Sequence, residues 1–250
     1  MVRALLMRGM LAGLLAGILA FGVARIIGEP PVERAIAFEK GASKAAHPGH
    51  DHGSEPELVS RGVQRGIGLF TGVVVYATAF GGLFALVFAF AYGRIRTLSP
   101  RATSALLAAA AFLTLVVVPD IKYPPNPPAV GDADTIGQRT VLFVGTIALS
   151  IAAMFIAFVA GRRLAASLGA WNASLAGGAI FIVLVVAMQL VLPTINEVPD
   201  QFPASVLWQF RISSIAIEAV LWTAVGLAFG PMADTVLGGG QRGQWLRQRV

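Results

Sequence analysis

The chain has 250 residues, 56% of them hydrophobic and only 13% charged. Soluble domains carry roughly 25% charged residues, so this deficit and the long apolar runs mark a polytopic membrane protein. The absence of cysteine excludes disulfides, thiolate metal sites and cysteine redox chemistry, and the net charge of +6, carried at the flanks of apolar runs with no basic–aromatic stretch, does not point to nucleic acid.

Six apolar runs are long enough to cross a hydrocarbon core, which takes about 20 residues. They cover residues 4–27, 67–92, 102–118, 140–160, 171–192 and 212–229. The expected fold is an all-α helix bundle, a single membrane domain over 1–250 with about six transmembrane helices. Three loops face outward, at about 28–66, 119–139 and 193–211. The other side carries Arg3, Arg8, Arg94, Arg96, Arg101, Arg162, Arg163, Arg242, Arg247 and Arg249, with Asp234 as its only acid. The positive-inside rule places that side, with both termini, in the cytoplasm.

In the first run small residues recur every fourth position: Gly9, Gly13 and Gly17, and in parallel Ala12, Ala16, Ala20 and Ala24. This predicts a helix face for close packing against a neighbour. The alternative is a cleaved signal peptide, with Gly22-Val23-Ala24 as a small-x-small site. The length of the apolar region and the repeated small face argue against it.

The first loop opens with Glu29-Pro30-Pro31-Val32-Glu33-Arg34 and reads as a short helix through Phe38-Glu39-Lys40. All three histidines of the chain follow within six residues, as His47-Pro48-Gly49-His50-Asp51-His52. Imidazole is the commonest side-chain ligand of first-row transition metals, and a carboxylate suits the same ions. A turn at Pro48-Gly49 could bring His47, His50 and His52 onto one ion with Asp51. Such an N/O set fits Co, Ni, Zn or Cu(II) better than Mg or Ca. The bland alternative is a His-rich loop without function.

The second loop carries Pro124, Pro125, Pro127 and Pro128, which leave it no helix or ladder. Prolines at span ends, such as Pro119 and Pro193, read as helix stops. Eleven of the thirteen acids lie in the three loops; Glu218 and Asp234 are the exceptions. An acidic face concentrates cations, although loops also need polar residues for solvation. Asp132 and Asp134 in the second loop and Asn196, Glu197 and Asp200 in the third supply hard oxygen ligands. Each loop ends with an arginine at the mouth of the next span: Arg65, Arg139 and Arg211. Each also has acids upstream within reach of one fold of chain, which resembles three helical hairpins built on one plan, a weak internal repeat; the alternative is that arginine snorkels at a membrane interface.

Glu218 is the only carboxylate within an apolar run, and an ionisable group there is a functional candidate. An interhelical hydrogen bond is its structural alternative. Gln189 reads as packing glue between helices. There is no Walker motif, no HExxH and no GxSxG, so the sequence does not read as an enzyme.

Several segments together resemble the CbtA family. They are residues 8–17 (RGMLAGLLAG), 28–37 (GEPPVERAIA), 59–66 (VSRGVQRG), 122–132 (KYPPNPPAVGD) and 196–200 (NEVPD). The resemblance implies a cobalt transporter subunit in a bacterial inner membrane, working with a small His-rich partner of the CbtB type. It carries over no ligand residues.

Two functions then stand side by side. In the first, the chain is an uptake subunit for cobalt or a related divalent ion, which is its substrate; it needs no cofactor. His47, His50, Asp51 and His52 collect the ion, and Asp132, Asp134, Glu197, Asp200 and Glu218 relay it. Its partners are then the metal ion, membrane lipid, the small His-rich protein and a possible second copy of itself. In the second, the chain is a non-transporting scaffold or metal sensor whose loops bind a periplasmic partner.

Overall fold

The computed structural model describes residues 1–46, 59–92, 94 and 98–247, and all are helix, turn or loop. The helices are α1 (Val2–Val23), α2 (Glu29–Ala46), α3 (Arg61–Val63), α4 (Leu69–Tyr92), α5 (Pro100–Phe112), α6 (Val118–Lys122), α7 (Ile136–Val191) and α8 (Ala204–Arg247). Single π-helical turns at Ala24–Gly28, Gln64–Gly68 and Leu113–Val117 join α1 to α2, α3 to α4 and α5 to α6. Among the described residues, five helical runs are long and apolar enough to cross a membrane. The fold is all-α.

The longest run, α7, contains the fourth and fifth expected spans. Gly169 interrupts it with φ +75° and ψ 162°, a conformation that only glycine adopts without strain. The chain turns back there. A Cβ on Gly177 would stand 3.2 Å from the Ala157 carbonyl oxygen, and one on Gly161 would stand 3.3 Å from that of Ala173. Ala153 and Ala157 share a buried cluster with Val118 and Phe181, flanked by Met154, Leu184 and Met188.

Two compact units divide the chain, one of Met1–Ala109 with Ile212–Val250 and the other of Ala110–Arg211. In the first, α1 lies antiparallel against α4. Gly9 faces Gly81 and Ala85, Gly13 faces Ala77 and Gly81, and Gly17 faces Ala77 and Val74. A Cβ on Gly81 would come within 2.7 Å of the Gly13 Cα, so the two backbones touch. Ala12, Ala16 and Ala20 are fully buried, while Leu11, Leu15, Ile18 and Leu19 are exposed. Small residues inside and large apolar residues outside suit a helix solvated by lipid, where close backbone contact replaces the hydrophobic drive of water.

The helices also absorb prolines that read as breaks in the sequence. The Ile27 carbonyl would normally accept from residue 31, but that residue is Pro31, which has no N–H. Ser213 fills the gap, donating its hydroxyl to the Ile27 carbonyl at 2.8 Å. In the second unit the Val118 N–H goes to the Leu113 carbonyl, and the next residue is Pro119. The Thr114 carbonyl is thereby freed, and the buried Ser150 hydroxyl donates to it. The π turns at Ala24–Gly28 and Leu113–Val117 each accommodate a proline, and a serine from another helix satisfies the carbonyl released there. The first loop consequently begins as helix, running on to Ala46, well beyond the short helix that the sequence suggests.

Candidate functional site

In the second unit, the loops before and after α7 fasten to each other. Residues 124–127 have no regular secondary structure. The Tyr123 hydroxyl donates to the Pro193 carbonyl at 2.8 Å, and Lys122 Nζ donates to the Gln189 carbonyl at 2.8 Å and to Thr194 Oγ1 at 3.2 Å. Gln189 itself donates through Nε2 to the Val118 carbonyl at 3.0 Å, which fits its reading as interhelical glue.

Glu197 is the hub of this junction. Its carboxylate accepts from the Thr135 hydroxyl at 2.6 Å and from the Asp132 amide at 2.8 Å. Arg139 Nε lies 3.3 Å from the same carboxylate, and Arg139 Nη2 donates to the Asp132 carbonyl at 2.7 Å. The Thr135 and Asp132 hydrogen bonds, with the Arg139 charge as a smaller contribution, hold the Glu197 carboxyl below the usual carboxylate range despite some desolvation. Gly131 makes room for the guanidinium. Its φ is +120°, and a Cβ there would overlap the Arg139 side chain.

All three loop-end arginines are engaged, each differently. Arg65 Nη1 lies 2.7 Å from Glu33, and Arg139 holds Glu197. Arg211 Nη2 donates to the Asn126 side-chain oxygen at 3.0 Å, an amide rather than an acid. Arg61 adds a fourth contact, 2.6 Å from the buried Glu29. The sequence reading missed Arg61, Asn126, Thr135 and Gly131. Only Gly131 carried a local signal, a glycine just before Asp132 in an otherwise proline-stiffened loop.

The expected ion-binding residues are distributed as follows. His47, His50, Asp51 and His52 lie outside the described residues. Asp132 and Asp134 are both exposed, and the Asp134 amide donates to Asp132 Oδ1 at 3.0 Å. Asp200 is exposed on the third loop. Asp132 and Glu197 are brought together, but through the Asp132 amide. Glu218 belongs to the other unit, on α8. Among the described residues, no three His, Asp or Glu side chains gather where one ion could take them at once.

Long apolar helices with small buried faces and acid-rich polar loops define a multi-pass membrane protein. The family model of CbtA, described as a probable cobalt transporter subunit, matches residues 2–234, and the chain belongs to that family. Comparison with curated proteins and with solved structures gave no match. The family and the helices agree on a membrane transport subunit.

Proposed function

We propose that the chain conducts cobalt, or a related divalent transition ion, into the cell. The observation that carries this reading is the family match over residues 2–234. The proposed setting is a bacterial inner membrane with both termini cytoplasmic, as the arginine distribution favours. The histidine stretch then acts as a collecting arm on the outer side. Asp132, Asp134 and Asp200 raise the local concentration of cations from exposed positions. Glu197 joins them as a ligand only by releasing Arg139; otherwise it sets the shape of the loops. Glu218 is the carboxylate at membrane depth. An inside-negative potential of roughly 100 mV favours influx of a divalent ion by about 4.6 kcal/mol, twice the value for one charge. Radioactive cobalt uptake in cells lacking other importers, with and without this chain and its small His-rich partner, tests the proposal; equal uptake in the two refutes it.

One observation favours the scaffold reading. The second loop is stiffened by four prolines and pinned to the third by Tyr123, Lys122 and Arg139, which suits a docking surface. Glu218→Gln separates the two readings: a scaffold tolerates it, and a conduction path does not.

A further inference from the structure

A ladder of aromatic rings joins α4 to α8 within the first unit. On α4, Tyr76, Phe80, Phe84, Phe88 and Tyr92 recur every fourth residue, so each neighbours the next along a stripe that winds from the exposed Tyr76 to the buried Phe84 and Phe88. Phe80 and Phe84 meet Trp222 with ring centroids 6.2 and 6.4 Å apart, and Phe84 and Phe88 meet Phe229 at 5.5 and 5.0 Å. Higher numbers on one helix pair with higher numbers on the other, so the two run in the same direction here. One turn back along both, this register sets Tyr76 opposite Glu218. Tyr76 packs on Phe80 with ring centroids 4.3 Å apart, and Glu218 precedes Trp222 by four residues.

The Trp222 side chain holds the informative atom. The residue is 5% exposed, and its buried indole N–H has no acceptor among the described residues. Indole N–H only donates, so the site calls for an acceptor. The carboxylate of Glu218, which also carries a buried oxygen, lies one turn away on the same face.

We propose that Glu218, Tyr76 and Trp222 form an intramembrane site for a hydrated divalent cation. Glu218 meets the ion, and the other two are positioning residues. The proposal rests on the transport reading and deepens it. Trp222 donates to a water that one Glu218 oxygen binds in turn, and so fixes the side chain. The carboxylate also accepts hydrogen bonds from the ion's hydration shell or binds the ion itself. The Tyr76 hydroxyl supplies a neutral oxygen beside it. Beyond Trp222 the ladder continues as Phe84, Phe88 and Phe229, which offer no oxygen, so the polar site ends at that level.

The test uses the purified full-length chain and a hydrophobic carbodiimide that modifies membrane-embedded carboxyls. Labelling of Glu218 is followed by peptide mass spectrometry, with and without cobalt chloride. Cobalt should slow labelling of the wild type at least fivefold. Trp222→Phe and Tyr76→Phe keep the rings and remove the polar atoms, and they should retain less than twofold protection while eluting as the wild type does. Phe80→Leu disturbs the same ladder without removing a polar atom and should keep the full protection. Wild-type Glu218 that is unlabelled even without cobalt, or labelled equally with it, overturns the proposal. So does wild-type protection in both polar variants, or its loss in Phe80→Leu. Protection without cellular cobalt uptake keeps the site and removes the transport reading; uptake without protection does the reverse.

Discussion

Arg139 lies 3.3 Å from the Glu197 carboxylate and at the same time donates to the Asp132 carbonyl, so one guanidinium ties the loop before α7 to the loop after it. The helical hairpin of α7 is therefore closed at its open end as well as at Gly169. Arginine suits this place because its planar fork holds its donors in fixed directions, one toward the carboxylate and one toward the carbonyl.

The first prediction concerns acid. Glu197 has a depressed folded-state pKa, so its contribution to stability is fully present above the usual 4.5 and is lost as pH falls through the lower, folded value. The difference in Tm between wild type and Glu197→Gln should be largest above 4.5 and shrink below it. A difference that stays constant down the acid limb contradicts the assignment.

Gly131→Ala should loosen the same junction. The substitution forces an unfavourable backbone at φ +120° and drives a methyl group into the Arg139 guanidinium. The strain is of order 1–3 kcal/mol. Thermal unfolding in detergent reads it. Gly137→Ala, where a Cβ meets nothing within 4 Å, should be nearly silent.

Ser150→Ala and Ser213→Ala should each destabilise the chain by about 0.6 kcal/mol, and by no more than about 1.7 kcal/mol, the range measured for interhelical hydrogen bonds in membranes. Each leaves a proline-freed carbonyl, of Thr114 or Ile27, without its donor. Reversible unfolding in mixed micelles checks this. Ser174, whose hydroxyl only bonds back to Ala170 in its own helix, is the control.

Replacing His47, His50 and His52 together should slow cobalt uptake at low metal concentration and leave it largely intact at high concentration. A collecting arm raises local supply without forming the path. Concentration-dependent initial rates decide this, and an equal loss at all concentrations would make the histidines part of the path itself.

Much of this architecture was legible in the sequence. The small-residue face of α1 was readable because glycine and alanine at every fourth position suit little else, and the structure seats it on Gly81 and Ala77. The two halves of α7 were readable as separate spans because Arg162 and Arg163 interrupt the apolar run. The continuation of α1 into α2 was not. Pro30 and Pro31 read locally as a break, and the donor that compensates, Ser213, is remote in sequence. The Arg139–Glu197 contact was half legible: an arginine at the span mouth was visible, but its own loop offered Asp132 and Asp134 as nearer acids, and only the folded loop shows that the partner comes from the next one. The spacing of Tyr76, Phe80 and Phe84 was likewise in plain view. That Trp222 of α8 packs against it was not, because pairing between distant helices leaves no periodic mark.

The account stands on cobalt influx driven by the membrane potential, and it is tested most directly by initial uptake rates in cells lacking other importers. Rates are compared with and without the chain and its small partner, in energised cells and in cells depolarised by a protonophore. The account predicts faster uptake with the chain and loss of that excess on depolarisation. Equal rates with and without the chain in energised cells would contradict it.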